Sequence, residues 1–406
     1  MSLLKTDFPI FANNPWLIFL DSAASSQKPQ YVIDGVNDSV SSSYANIHRG
    51  NYALSEKSED LYHASKAKVA EFLHVKVNEI IYSYNATYAI NLIAQALCKS
   101  KYLEKWDVVL VGIRDHHANI VPRQSLSEEY GFEVQFINIR SDYTIDRQDF
   151  TKKYTKKVKV VACSHISNVT GAIYDVSKIK EHLRPDTFFL VDGSQSVPHI
   201  PVDVSKIGCD CFVFTAHKMM AYTGLGVAYL AKEWIRKLQP LISGGGAIHD
   251  VDTSNYTPAS GVDKFEAGTP NIIGAVSLLK ALEYIHKIWG MERVWTHEQQ
   301  MTAYALAKFH VLEKEKKLEL IGSYEADKRV GVFSFVLPKI KNTSIVGEKF
   351  SAQNIAIRCG GHCAYPLHKQ IKKAGSCRMS LYLYNDKKDI DTFFAQLEKI
   401  ISSGLK

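Results

Sequence analysis

Between Glu79 and Leu230 short apolar runs alternate with longer mixed stretches. The runs are Ile80 to Tyr82, Val108 to Val111, Val134 to Ile139, Val158 to Ala162, Phe188 to Val191, Cys211 to Phe214 and Val227 to Leu230. Runs this short and this apolar predict buried strands. The gaps hold candidate helices, among them Ile90 to Leu97 and Val176 to Leu183. Strands alternating with helices predict an α/β sheet, mostly parallel and covered on both faces. In such sheets a ligand sits beyond the carboxyl ends of the strands.

The flanking regions have a different texture. Residues 1–20 read as an arm that packs late, against a small C-terminal domain. Its Leu17 to Leu20 run is a strand that enters a turn at Asp21-Ser-Ala-Ala24. Tyr44 to Gly50 is a polar loop carrying His48 and Arg49, and the helix after it places Leu61, Ala64, Val69, Phe72 and Leu73 on one face. The excursion from Ser243 to Pro270, rich in Gly, Ser, Thr and Pro, is too long for a simple connection and predicts a functional loop. Ala275, Leu278, Leu279, Leu282 and Ile285 mark an amphipathic helix. Beyond it, Val330 to Val336 and Ile355 to Ile357 predict strands of a smaller α+β unit that closes with a helix over Ile390 to Ile401. The expected division is an arm at 1–20, a large ligand-binding domain at 21–270 and a small domain at 271–406. No internal repeat or low-complexity segment interrupts it.

Composition narrows the class. At 406 residues, 46% hydrophobic and 22% charged, the chain is expected to be a soluble globular protein. The net charge of +7 is modest. Lysines cluster at 152, 153, 156, 157 and 159, but no basic-aromatic module accompanies them, so a solvated surface is expected rather than a nucleic-acid site. The first residues carry Lys5 and Asp7, and the Trp16 to Leu20 run is too short for a signal peptide. No window approaches a membrane span. The seven cysteines, 98, 163, 209, 211, 359, 363 and 377, are odd in number and sparse. They do not make a disulfide framework, and a cytoplasmic location is expected.

Chemistry-bearing residues gather at the ends of predicted strands. Lys218 follows Cys211 to Phe214 and precedes Thr223-Gly-Leu-Gly226. A lysine held after a buried strand loses solvation, which lowers its pKa and frees the amine as a nucleophile; the plain alternative is a loop lysine. Asp192 ends Phe188 to Val191 and leads to Gln195, a carboxylate that is equally suited to cap a helix. Asp115-His-His-Ala-Asn119 offers paired histidines, but no third ligand has metal-site spacing. Asn168 closes Cys163-Ser-His-Ile-Ser-Asn168 and also suits a plain turn. A lysine amine, an aspartate for a pyridinium nitrogen and an imidazole over a ring are the parts a pyridoxal-phosphate site needs.

In this order and at these spacings the segments resemble the class V aminotransferase family. The resemblance runs through Leu20-Asp-Ser-Ala-Ala24, His48-Arg-Gly50, His116 to Pro122, Ser164 to Asn168, Val191 to Gln195, His217-Lys218 and Phe265 to Pro270. Arg358-Cys-Gly-Gly-His-Cys-Ala-Tyr-Pro-Leu367, followed by Cys377-Arg-Met-Ser-Leu381, is similar to the catalytic loop and substrate-arginine segment of group II cysteine desulfurases, a branch that also contains selenocysteine lyases.

The resemblance implies a type I fold of pyridoxal-phosphate-dependent transferases, assembled as a homodimer. Lys218 would hold pyridoxal 5'-phosphate covalently and move the substrate's Cα proton. Asp192 would meet the pyridine nitrogen, Gln195 the phenolic oxygen, and His116 would stack on the ring. Thr87, Thr215 and His217 would hold the phosphate, with Thr269 reaching across from the second subunit. Asn168 would steady substrate or cofactor oxygen. Arg378 would clamp the carboxylate of L-cysteine, with Arg358 nearby, and Cys363 would be the nucleophile that receives sulfur as a persulfide. The acceptor would be a SufE-like protein or a zinc-bearing scaffold, and the sulfur would serve iron–sulfur cluster assembly or a related transfer. No bound metal is implied: a cluster of Cys359, Cys363 and Cys377 would blunt the nucleophile.

The chain departs from the family pattern at Asn85-Ala86-Thr87-Tyr88, which loses one phosphate-side hydroxyl and one acid. It departs again at Ala221-Tyr222, at Cys359 in place of a threonine and at Gly361 in place of a histidine. Two other readings follow. One is selenocysteine lyase or cysteine sulfinate desulfinase activity on the same fold. The other is a non-catalytic scaffold or binding protein that kept the fold, motivated by the altered phosphate segment.

Overall fold

The computed structural model describes residues 4–48, 50–340 and 342–403, without the side chains of residues 288 and 289. Arg49 of the predicted polar loop, and the first residues of the arm, lie outside the described residues.

The arm contributes a short strand, β1 (Ile18–Phe19). The central sheet is built from β2 (Ile80–Ser83), β3 (Val108–Gly112), β4 (Glu133–Ile137), β5 (Val158–Ser164), β6 (Phe188–Asp192), β7 (Cys211–Thr215) and β8 (Gly226–Leu230). Its order is β2-β8-β7-β6-β5-β3-β4, with β8 antiparallel to both neighbours and β7 through β4 parallel. Every residue of β3, β6 and β7 is buried. Along β6 and β7, Phe189, Val191, Phe212 and Phe214 pack into one core. Their neighbours Phe188, Leu190, Cys211 and Val213 pack into the other. Alternate side chains leave a strand on opposite faces, so this sheet is covered on both sides and its strands read as unbroken apolar runs. Each fully buried Val, Leu or Phe contributes about 1.5–3 kcal/mol.

The predicted elements shift in places for local reasons. Val134 to Ile139 is a strand only to Ile137, and Ile139 turns aside to bridge Ile145. Of Val176 to Leu183 only Ser177–Lys180 is α-helical; Val176 provides no side-chain cap, and Pro185 follows closely. The helix over Ile90 to Leu97 is longer than predicted, Ala86–Lys99, because Asn85 caps it by accepting from Tyr88 N. The long excursion contains an exposed hairpin, β9 (Ile248–Val251) and β10 (Tyr256–Pro258). After it, the helix Ile272–Tyr284 packs against the helices Gln30–Ser42 and Ala53–Leu73.

A second sheet holds β11 (Glu319–Ile321), β12 (Val332–Val336), β14 (Arg358–Gly360) and β15 (Ser376–Ser380) in the antiparallel order β11-β12-β15-β14. The remaining strand, β13 (Ile355–Ala356), pairs in parallel with β1. Asp21 then bridges to Ser380, so the arm is sewn to this smaller sheet before the chain enters the large one. Among the described residues no helix is long and apolar enough to cross a membrane.

Candidate active site

The carboxyl ends of the central strands converge on a cavity of about 240 Å³. β7 delivers Lys218 into it through the 3-10 turn Ala216–Lys218. The turn is pinned at the carbonyl of His217, which accepts from Ser26 N (3.2 Å), Ser25 Oγ (3.3 Å), Ser26 Oγ (3.2 Å) and Lys28 Nζ (3.5 Å). Ser26 Oγ also accepts from Met220 N at 2.8 Å, on the far side of the turn. Burial lowers the Lys218 pKa to about 8, against the opposing pull of Asp192. The amine is therefore far easier to deprotonate than a solvated lysine, with roughly a tenth of it neutral at pH 7.

Neighbouring strand ends supply the other groups. Asp192 ends β6, and its Oδ1 accepts from Ser194 N at 2.9 Å. Gln195 donates Nε2 to Ala23 O at 2.8 Å, which fixes which face its Oε1 presents. His116 caps the helix His117–Tyr130: its Nδ1 accepts from Ala118 N at 3.1 Å. Burial, then the charge of Lys218, lowers the His116 pKa to about 4, so the ring is neutral and its Nδ1 is committed as acceptor. At the other end, Asn85, Ala86 and Thr87 bring the start of the helix Ala86–Lys99 to the cavity. A helix N-terminus offers unpaired N–H groups and a positive dipole end to an anion.

The opposite wall comes from the smaller sheet. Arg378 on β15 donates to Asp21 Oδ1 and to Asn168 O, both at 3.0 Å. Arg358 stands across from it on β14, with Nη2 4.0 Å from the Sγ of Cys363. The loop between them is sharply bent: Gly360, His362 and Cys363 all have positive φ, 119°, 50° and 55°. It is tied to the large unit by Asn168 Nδ2 to His362 O (2.7 Å), His117 N to Cys363 O (2.7 Å) and Tyr365 N to His117 Nε2 (3.0 Å). The His362 ring turns away to Ser376, where its Nε2 lies 3.1 Å from both O and Oγ, and burial drives its pKa far down. Arg358, not His362, is thus the cation beside the thiol.

One cavity therefore gathers Thr87, His116, Asn168, Asp192, Gln195, Thr215, His217, Lys218, Arg358 and Arg378. Cys363 stands at its edge, beside Arg358. Thr269 does not enter; it lies in a separate cavity with Asn46, His48 and Gly246. The sequence reading passed over Asp21, which holds Arg378, over the Ser25, Ser26 and Lys28 clamp, and over His117, which holds the cysteine loop. The serine and lysine positions adjoin the Asp21-Ser-Ala-Ala24 turn, and that proximity was the available signal. Among the described residues no cluster of three or more His, Cys, Asp or Glu has a metal-holding arrangement.

The buried polar atoms fit a phosphorylated pyridine aldehyde. Ser194 Oγ, Gln195 Oε1, Thr215 Oγ1, His217 Nδ1 and Arg378 Nε have no hydrogen-bond partner among the described residues, and each belongs to a residue lining the cavity. Orphaned buried polar atoms are costly, and a ligand bearing phosphate, hydroxyl and carboxylate groups would satisfy them.

A buried lysine beyond a parallel sheet, faced by an aspartate and a carboxylate-binding arginine, defines an amine-based enzyme site. The pattern described as "Aminotransferase class-V" matches residues 18–393, and the chain belongs to that family. It is 36% identical to a probable cysteine desulfurase of Halalkalibacterium halodurans, over 98% of this chain and 97% of the relative. It is 35% identical to a cysteine desulfurase of Yersinia pseudotuberculosis, over 98% and 97%. Its fold is similar to the apo cysteine desulfurase of Thermococcus onnurineus, with a TM-score of 0.92 and 30% identity over 98% of both chains. It is also similar to the cysteine desulfurase CsdA of Escherichia coli, with a TM-score of 0.89 and 27% identity, again over 98% of both.

Proposed function

We propose that this chain is a pyridoxal-phosphate-dependent cysteine desulfurase, converting L-cysteine to L-alanine and leaving a persulfide on Cys363. The observation that carries the reading is the meeting of Lys218, Asp192 and Arg378 in one cavity with the Cys363 thiol at its edge. When bound, the cofactor supplies an electron sink for the substrate's Cα. Lys218 would hold it through its amine and would move the Cα proton. Asp192 would keep the pyridine nitrogen protonated, Gln195 would meet the phenolic oxygen, and neutral His116 would face the ring. Thr87, Thr215, His217 and the helix start at Ala86 line one cavity and would hold the phosphate, although Ala86 lacks the hydroxyl of the family pattern. Arg378, with Asn168 beside it, orients the substrate carboxylate; a planar guanidinium suits that group. The thiolate of Cys363, beside the Arg358 cation, attacks the substrate sulfur. The Cβ–S bond breaks with its electron pair on carbon, protons return to carbon, and alanine leaves.

The remaining assignments belong to the same proposal. The arm at 1–20, large domain at 21–270 and small domain at 271–406 act as a cytoplasmic homodimer. Thr269 serves the cavity of the second copy, which accounts for its distance from Lys218 within one chain. An acceptor protein takes the sulfur toward iron–sulfur cluster assembly or a related transfer. The test is alanine released from L-cysteine by cofactor-supplemented protein, with a thiol reductant as acceptor. Stoichiometric alanine and sulfide are expected, absent in Lys218→Ala. Cys363→Ala is expected to keep the cofactor and lose persulfide transfer. No alanine, despite a borohydride-trapped adduct at Lys218, would overturn the choice of substrate.

A further inference from the structure

The chemistry above uses neither Cys359 nor Cys377, yet they are direct cross-strand partners on β14 and β15, with Sγ atoms 3.3 Å apart. One residue along the same strands, Arg358 stands opposite Arg378. Successive side chains leave a strand on opposite faces. The arginines therefore line the cavity while the two thiols occupy the reverse face, under the helix Thr343–Ser351. There Cys377 Sγ lies 3.9 Å from Thr343 O, and a Cβ on Gly347 would come within 3.2 Å of Cys359 Sγ. Cys377 is buried and Cys359 is partly exposed.

We propose that Cys359 and Cys377 form a reversible dithiol–disulfide couple on the back of the arginine strands, a modification site that takes low-molecular-weight disulfides as its oxidant. Directly opposed residues of an antiparallel pair hold their Cβ atoms about 4.5–5.5 Å apart, near the span a disulfide needs. Closing the sulfurs to about 2.05 Å requires a movement of roughly an ångström. The two thiols are unequal in the way exchange chemistry requires. The hydrogen bond between the two thiols lowers the Cys359 pKa, and the same contact with burial raises that of Cys377. Cys359, the less buried of the two and the better thiolate, attacks the disulfide RSSR and expels one RS⁻. Cys377 then gives up its proton, attacks Cys359 Sγ within the mixed disulfide and expels the second RS⁻. Two protein thiols are oxidised by two electrons, and RSSR is reduced to two thiols.

The cross-link would close residues 359–377 into a covalent ring that contains Cys363 and the helix Tyr365–Gln370. Oxidation would thereby restrain the loop that carries the nucleophile, and reduction would release it. The couple does not depend on the proposed substrate, because its primary readout is thiol content rather than turnover.

The experiment is to equilibrate the full-length, cofactor-loaded protein in glutathione buffers of rising glutathione disulfide, quench with acid, alkylate in denaturant and map the non-reduced peptides. Titratable thiols are expected to fall by two from the seven free cysteines, with a peptide linking 359 and 377 that dithiothreitol removes. The drop is expected to vanish in Cys359→Ser and to persist in Cys363→Ser. Alkylation of Cys363 by iodoacetamide is expected to slow severalfold in the oxidised protein. No 359–377 peptide at high glutathione disulfide, or a link that runs to Cys363 instead, would overturn the proposal. The map of the unsubstituted protein decides this even if a variant folds poorly.

Discussion

Lys218 and Cys363 carry the two halves of the proposed reaction, and the fold holds them in opposite ways. Lys218 leaves a strand buried at every position, and the carbonyl before it receives donors from Ser25, Ser26 and Lys28. Cys363 sits on a bent, partly exposed loop whose ties to the large unit are the bonds through Asn168 and His117. The lysine is thus preorganised by its own unit, while the cysteine depends on docking between units. The contrast suits their tasks. The amine stays with one bound group, whereas the thiol must first meet a buried sulfur and then present it outward.

The largest test of this contrast uses two glycines with the same clearance. A Cβ at Gly226 would lie 2.2 Å from the backbone carbon of Asn85, and one at Gly361 would lie 2.2 Å from the ring of Tyr365. Asn85 backbone starts the helix at the anion end of the cavity and has nowhere to go. The Tyr365 ring is 55% exposed, with the His117 ring 5.0 Å away on one side and solvent to move into on the other. Gly226→Ala is expected to cost about 3 kcal/mol in urea unfolding and to lose the cofactor. Gly361→Ala is expected to cost under about 1 kcal/mol and to keep it. Equal losses would mean that the two walls are equally rigid.

Asp21→Ala comes next in size. Arg378 is almost fully buried, and Asp21 is its only carboxylate partner among the described residues. Losing a hydrogen bond to a charged group costs about 2 kcal/mol, so KM for L-cysteine is expected to rise about 30-fold with cofactor content unchanged. A fall in kcat alone would place Asp21 elsewhere in the cycle. For the lysine side, pH gives the measure. The Lys218 pKa is depressed to about 8, and the reactive form is the neutral amine present above it. Capture of pyridoxal phosphate by apoprotein is therefore expected to accelerate about tenfold from pH 7 to pH 9. A midpoint above pH 10 would show a solvated lysine.

Much of this was legible in the chain because the central strands are apolar on both faces, and Lys218, Asp192 and His116 sit at the ends of three such strands. The small-sheet half was less legible. The predicted strand Ile355 to Ile357 is only β13, Ile355–Ala356, and the start of the expected loop is itself a strand, β14, which sets Arg358 opposite Arg378 and Cys359 opposite Cys377. Asp21 lies 357 residues from Arg378, and no local pattern announces such a pair. His117 read as the spare member of a histidine pair because its work, accepting from Tyr365 N, depends on where the second unit docks.

The finest test addresses that docking. Asn168 uses its side chain on His362 O and its carbonyl on Arg378, so Asn168→Ala removes the first contact and keeps the second. A neutral hydrogen bond is worth about 1 kcal/mol net, so the loop should open about fivefold more often. Alkylation of Cys363 should accelerate by the same factor, with the pH midpoint of cofactor capture at Lys218 unmoved. His117→Ala should add to this effect, because it removes the acceptor for Tyr365 N at a different point of the loop. If alkylation of Cys363 is unchanged in both variants, the loop is rigid without its ties. The thiol would then be as preorganised as the lysine, and the sulfur would have to be collected by an acceptor that reaches in.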